Sequence, residues 1–531
     1  MKCRNNSIIV MLIMTITVFT ACTKDLDRSP LNSNTSEVQY STPAGYKAVL
    51  AKVYGSYSLV SSSGVGNSDV SISGISDAGN TDFIRAYWNL QELTTDEAVC
   101  AWNDGYLQNL HNLNWTSSNV YVNALYSRSL FQITVANEFI RQSTDDALSS
   151  RNITEKDAVD VRYYRAEARF LRAYQYWVLM DLFANPPFVT EADPIGKYIP
   201  KRIERKDLFT YIESELKAID SSLVAPRMNE YGRADQGAAR ALLARLYLNA
   251  EVYTGTARYT DAITYAQEVI DAGYTLMPHY KNLFMADNNL NNTEMILPIA
   301  YDATSSQNFG GTTFLINSAH STDATEVSAY GIVSGGWLGN RSTENLPQAF
   351  GDYSGAADKR AMFGTGNLKV SSVLDFNDGL KVWKFSNKNS DGTTPYSPNG
   401  TLVNTDFPLF RLAEMYLTYI EAVKRGGIGG SDAIALGYFN KLRERGYETT
   451  GGNVSSYTLE DVLNERKREL YWEGFRRTDL VRYNYFTSGS YLWPWKAGAA
   501  AGTGVDSHFN IFPIPSSDIL SNTNLVQNPG Y

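Results

Sequence analysis

Between residues 159 and 183, the side chains Ala166, Phe170, Tyr174, Trp177, Val178 and Leu182 recur mostly at spacings of three and four. That period puts them on one face of an α-helix, with Arg and Glu opposite, and predicts a buried stripe. Pro186 and Pro187 end the segment, because proline has no amide hydrogen for the helical ladder. Further helices are expected over 207–223, with Asp207 as cap, over 234–253, and over 259–272, ending at Gly273. Small residues on the third (Ala234, Gly237, Ala238, Ala241, Ala244, Ala250) allow close helix approach. More follow over 410–425, 432–445 and 458–474. Two hairpins of this size suggest tetratricopeptide-like pairs, although no strict 34-residue period recurs. The expected fold class is mainly α, with these hairpins as scaffold.

Residues 60–120 and 285–405 differ in character. They are rich in Gly, Asn, Ser, Thr and aromatics, with only short strand-like runs. Irregular segments on that scale are usually functional, and ligand sites sit on loops that a rigid frame positions. The 35 tyrosines suit both a core and a wet binding surface, since the ring packs while the hydroxyl stays available. A net charge of −9 argues against a nucleic-acid or anionic-lipid surface. The basic residues are interleaved with acids, as in Glu465-Arg466-Lys467-Arg468-Glu469.

The first 21 residues read as a secretory signal. Lys2 and Arg4 precede an apolar stretch, Ile8 to Phe19, that is too short to span a bilayer. Phe19-Thr20-Ala21-Cys22 resembles a lipobox, in which Cys22 becomes the acylated first residue, though Phe19 stands where Leu is preferred. An ordinary signal peptide cleaved near Ala21 is the other reading. Residues 22–45 then form a lipidated cysteine and polar tether, and Lys24-Asp25-Leu26-Asp27 looks like that of surface-exposed lipoproteins. Acyl chains would anchor the protein to the membrane, at ~0.8 kcal/mol for each buried methylene. With Cys3 removed and Cys22 acylated, Cys100 is alone and no intrachain disulfide can form.

No nucleotide-binding loop, nucleophile elbow or zinc-protease motif is present. His111, His279, His320 and His508 are scattered without metal-ligand spacing. A glycoside hydrolase would need two facing carboxylates; Asp77, Asp82, Asp96 and Glu97 are candidates, but nothing marks a pair. In the run from Asp287 to Glu294, the oxygens of Asp287, Asn289 and Asn291 could converge on a structural calcium. A plain Asn-rich turn fits the same residues. No other cofactor is expected.

Several motifs resemble the SusD/RagB family. They are Phe407 to Leu417 ("FPLFRLAEMYL"), Glu465 to Arg482 ("ERKRELYWEGFRRTDLVR"), and Phe512-Pro513-Ile514-Pro515 with Gln527 to Tyr531. Ala166 to Ala173 and Gly232-Arg233-Ala234-Asp235 fit as well. The resemblance spans an N-terminal part, 46–325, and a C-terminal part, 326–531, packed into the same body. It implies a SusD-like fold and an outer-membrane lipoprotein facing the cell surface. Such a protein is non-catalytic and passes glycan to a SusC-like TonB-dependent transporter. The Arg/Glu-rich motifs read as ion-paired scaffold.

Gln91 to Glu97, Ala244 to Gly255, Leu283 to Asn288 and Tyr491 to Ala497 are similar to the starch-binding branch of that family. Carried over residue by residue, the resemblance implies an α-glucan site. Trp102, Phe309 and Trp337 would stack on sugar faces, while Asp77 and Arg85 would bond hydroxyls. This chain departs from the pattern at Cys100, where a stacking Trp is expected, at Gly105, where an Asn is expected, and at Phe309, which replaces a tyrosine. Tyr87, Trp88, Asn103 and Asp104 are nearby residues that could compensate. Core packing is the alternative role for each aromatic. Three further readings remain: a receptor for another glycan or for peptides, a surface glycoside hydrolase, and a tetratricopeptide-type interaction scaffold.

Overall fold

The computed structural model describes residues 36–75, 77–196 and 198–531; the signal segment, Cys22 and the tether up to residue 35 lie outside them. The stripe identified above forms the helix Glu155–Phe183, capped by Thr154, whose hydroxyl accepts from Asp157 N at 3.3 Å. It packs against the helices Val120–Gln142 and Arg205–Ile219. Gln236–Leu248 packs on Tyr259–Ile270, which also meets Leu412–Lys424, and that helix in turn packs on Asp432–Tyr447. The chain is mainly helical.

The boundaries differ from expectation in three places, each for a local reason. Glu204 caps Arg205–Ile219, so Asp207 sits in its first turn, where a carboxylate still favours the helix dipole. The third helix breaks at Asn249 into Gln236–Leu248 and Ala250–Thr254. The expected helix 458–474 stops at Leu470, and Arg476–Arg482 follows separately. Trp472 (φ 65°) and Gly474 (φ 82°) turn the chain between them.

Among the described residues, four strands make two small antiparallel ribbons. Ala98–Cys100 pairs with Asn340–Ser342, and Met295–Ile299 pairs with Phe407–Arg411. Each ribbon joins a strand before residue 325 to one after it. The first ribbon ties the two irregular stretches to each other, and the second closes the ends of the 285–405 stretch.

The Arg/Glu-rich motifs are buried and ion-paired. Arg411 donates to Glu473 (2.7 Å from both Nε and Nη2), Glu469 (2.6 Å) and Glu294 (2.9 Å). Arg360 meets Asp358 (2.7 Å), Glu465 (2.6 Å) and Glu469 (3.1 Å), and Lys384 meets Glu473 (2.6 Å). Burial would raise the Glu465 pKa, but the charges of Arg360, Arg468 and Arg443 together outweigh it and bring the carboxyl down to about 2. Removing one member of such a network would strand its partner without water, a cost of about 3–5 kcal/mol. The other motifs lock the frame in the same way. Arg233 pairs with Glu167, Arg245 with Glu414 (2.6 Å), and Gln527 exchanges two hydrogen bonds with the backbone of Ile514 (2.8 and 2.7 Å). No helix among the described residues is long and apolar enough to cross a membrane.

Candidate glycan-binding site

Asp77 starts the site by capping a 3₁₀ turn, Ala78–Thr81, accepting from Gly79 N at 2.9 Å. Its other oxygen takes a hydrogen bond from Arg85 Nη1 at 3.0 Å. Arg85 lies one turn into the helix Phe83–Glu92, whose cap is Asp82. The Asp82 carboxylate accepts from Arg85 N (2.8 Å) and from Gly311 N (2.7 Å). It thereby ties this helix to the loop carrying Phe309. Gly311 has φ +53°, and a Cβ there would meet the Tyr301 ring at 2.3 Å, so only glycine fits. Phe309 rests against Gly79, and its carbonyl accepts weakly from Arg85 Nη1 at 3.4 Å.

The Arg85 guanidinium lies 4.8 Å from the Phe314 ring centre and 6.0 Å from that of Trp102. Trp102 follows the strand Ala98–Cys100, and its carbonyl is held by Gln108 Nε2 at 2.8 Å. Its indole packs on Gly339, where a Cβ would stand 2.5 Å from the ring nitrogen. Trp337, two residues earlier, sits in a clamped loop. Its N–H donates to Asn317 O at 2.6 Å, Leu338 N to His320 O at 2.8 Å, and Gly336 N to Ser321 O at 3.0 Å. Trp102, Phe309 and Trp337 are all half-buried, and the Asp77 side chain is 47% exposed. A fixed frame with open ring faces and a hydroxyl-bonding ion pair suits neutral, hydroxyl-rich ligands.

Other expectations fall differently. Tyr87 and Trp88 cannot compensate in the site, because both are buried: Tyr87 stacks on Phe83, and Trp88 lies edge-on to Trp472 at 5.0 Å. Asn103 is exposed and Asp104 half-buried, beside Trp102. Cys100 is wholly buried opposite Asn340 in the ribbon, so position 100 faces the core and offers a sugar no surface.

The acids weighed as a hydrolytic pair are structural. Asp96 is buried between Arg476 (2.7 Å), Lys467 (2.6 Å) and the Tyr491 hydroxyl (2.6 Å). Burial alone would raise its pKa, but Arg476 and Lys467 hold it far below the usual range. Glu97 and Glu92 are buried together; burial pushes the Glu97 carboxyl up to about 7, and Glu92 well above its ordinary value. Only Asp77 of the four reaches solvent.

Around the Asn-rich run, Asp287 accepts from Ser390 N (2.9 Å) and Ser390 Oγ (2.5 Å). Asn288 and Asn292 use their amides on backbone carbonyls, each at 2.9 Å. Among the described residues, no group of three or more His, Cys, Asp or Glu could hold a metal ion.

Comparison with known proteins decides the family. The chain is 35% identical to the "Starch-binding protein SusD" of Bacteroides thetaiotaomicron over 96% of both chains. It belongs to the SusD family. A family model described as "SusD family" matches residues 375–531, and one described as "Starch-binding associating with outer membrane" matches 75–248. The second contains Asp77, Arg85 and Trp102. The fold agrees with solved structures of the SusD superfamily. One is surface glycan-binding protein A of B. thetaiotaomicron in complex with laminarihexaose (TM-score 0.69, 19% identity, 92% of this chain and 99% of that one). Another is a laminarin-binding SusD-like protein (TM-score 0.68, 21% identity, 92% and 100%). This SusD-family member is a glycan-binding protein and not an enzyme.

Proposed function

We propose that this protein captures starch-type α-glucan oligosaccharides at the cell surface and delivers them to a SusC-like TonB-dependent transporter. It is held to the outer membrane by acyl chains on Cys22, facing outward. The observation that carries the ligand is the gathering of Trp102 and Phe309 around the Asp77–Arg85 pair. Trp337 is clamped on the adjoining loop, in a chain 35% identical end to end to a starch-binding protein. Ring faces stack on the apolar C–H faces of glucose, while Asp77 and Arg85 read hydroxyls and fix orientation.

Calorimetric titration with maltoheptaose, beside laminarihexaose and dextran and levan oligosaccharides, tests this reading. Binding of maltoheptaose alone, lost in Trp337→Ala, supports an α-glucan receptor. Preference for another glycan would replace the ligand and keep the scaffold. The absence of a polar side chain at Gly105 and the missing hydroxyl at Phe309 favour that second reading. Release of reducing sugar from starch would sink the non-catalytic one.

A further inference from the structure

Beside Trp102 the surface carries a second set of polar and aromatic groups outside the five residues above. Gly105 is exposed, and apart from its two chain neighbours and its own helix backbone no atom lies within 4 Å of where its Cβ would stand, so a ligand can approach the backbone there. Asp104 and Tyr106 flank this gap, both half-buried. Asp104 precedes the short helix Gly105–His111, yet its side chain makes no capping bond. Its carboxylate lies near enough to Tyr106 to help raise that phenol's pKa.

Tyr106 is held in place. Its ring stands at 70° to that of Tyr121, centres 5.5 Å apart, and its carbonyl accepts from Asn119 Nδ2 at 2.9 Å. Tyr121 is buried, and its hydroxyl donates to Asn80 Oδ1 at 2.6 Å. Asn80 belongs to the turn that Asp77 caps, and Arg85 neighbours the Tyr121 hydroxyl. Tyr106 is thus fastened, through one buried tyrosine, to the turn that presents the Asp77–Arg85 pair. Burial first, then Tyr121 and Asp104, push the Tyr106 hydroxyl up to about 12, so it stays protonated and able to donate.

We propose that Asp104 and Tyr106 are specificity-determining residues of the glycan site, and that together with Asp77 they select neutral glycans carrying free vicinal hydroxyls. This rests on the glycan-binding reading above. A carboxylate has two acceptor oxygens and can take hydrogen bonds from two adjacent sugar hydroxyls. The phenol supplies a ring edge and one more polar contact. The hydrogen bonding that the family pattern places at position 105 is moved to its two neighbours, and the bare Gly105 leaves room for the sugar between them. The charge balance sets the class: Arg85 is already paired with Asp77 at 3.0 Å, and Asp104, beside Trp102, adds a carboxylate with no described Arg or Lys within salt-bridge distance. A uronate or sulfate brought there would meet net negative charge.

The test is calorimetric titration of the purified protein with maltoheptaose and with an oligogalacturonate of similar length. Asp104→Asn, Tyr106→Phe and Tyr106→Ala are compared with Trp337→Ala. Wild type should bind the neutral oligomer and ignore the acidic one. Asp104→Asn and Tyr106→Ala should each weaken maltoheptaose about tenfold, and Tyr106→Phe a few-fold, with melting temperatures unchanged. If those variants titrate like wild type while Trp337→Ala fails, this inference falls and the glycan-binding reading stands. Tighter binding of the oligogalacturonate would overturn it as well. If wild type prefers another neutral glycan, an equal loss in the same variants supports the inference and only the α-glucan assignment falls. Silence with every glycan would overturn both.

Discussion

Arg411 and Arg85 are both buried arginines held by carboxylates, and they serve different ends. Arg411 meets three glutamates that are themselves sealed from water. Arg85 has one acidic partner within salt-bridge distance, Asp77, whose side chain is half in solvent. The first arrangement is saturated: every charge is matched, and nothing remains to offer a ligand. The second is left open on one side, so a sugar hydroxyl can join the pair without first breaking it. The family motifs legible in the C-terminal half mark the first kind of charge, and the proposed glycan face carries the second.

The largest effect that would break this contrast lies in the network. Arg411→Met should lower unfolding free energy by about 3–5 kcal/mol, because Glu469, Glu473 and Glu294 lose a shared partner. Urea denaturation measures it, and a loss below about 1 kcal/mol would mean the network is not what holds the frame.

Glu97 offers a third case, a buried acid beside another acid. Its native pKa of about 7 lies above its ordinary 4.5. Between those values the folded protein keeps a proton that the unfolded chain has released. The stabilisation is therefore complete below pH 4.5 and is lost as pH rises through 7, a fall on the order of 3 kcal/mol. Glu97→Gln should flatten that slope, and an unchanged pH profile in the variant would assign the proton elsewhere.

On the open face, stability and binding should separate. Trp337→Ala should weaken the glycan about 30-fold, near 2 kcal/mol, in calorimetry. Its melting temperature should move by only a few degrees; a large drop would make Trp337 a core residue after all. Smallest of all, Asp77→Asn should cost binding about 1 kcal/mol or less and leave stability within about 0.5 kcal/mol, because its charge is half solvated. A stability loss like that of Arg411→Met would erase the distinction between the two regions.

The helices with a polar outer face were legible. The stripe over 159–183 is the helix Glu155–Phe183, and 259–272 and 432–445 also became helices close to those bounds. Among the described residues, the helices not foreseen in the supposedly irregular or unread stretches include Pro43–Ser58, Phe83–Glu92, Gly105–His111, Val120–Gln142 and Gly311–Ala319. Phe83–Glu92 shows why, since all ten of its residues are buried, Arg85, Asn89, Gln91 and Glu92 included. Its apolar and polar side chains do separate at helical spacing, but the polar face is enclosed by protein as well, so the pattern cannot tell which side meets water.

The same difficulty hid the roles of Tyr87 and Trp88, whose spacing on that helix says nothing about what surrounds it. The binding candidates came from family resemblance, and the structure draws Asp77, Arg85, Trp102 and Phe309 together. Tyr106 could have been noticed as an aromatic four residues after Trp102. Its link to Tyr121 and Asn80 runs through residues far apart in the chain and is visible only in the fold.

The wholly buried Cys100 has a practical consequence. Burial pushes its thiol up to about 12, so at neutral pH almost none of it is the reactive thiolate. An alkylating reagent can reach it only when the ribbon Ala98–Cys100/Asn340–Ser342 opens. The strand leads directly into Trp102, so the modification rate at Cys100 clocks the breathing of the floor of the proposed site. A bound oligosaccharide should slow that clock, giving a built-in reporter of occupancy that needs no added label.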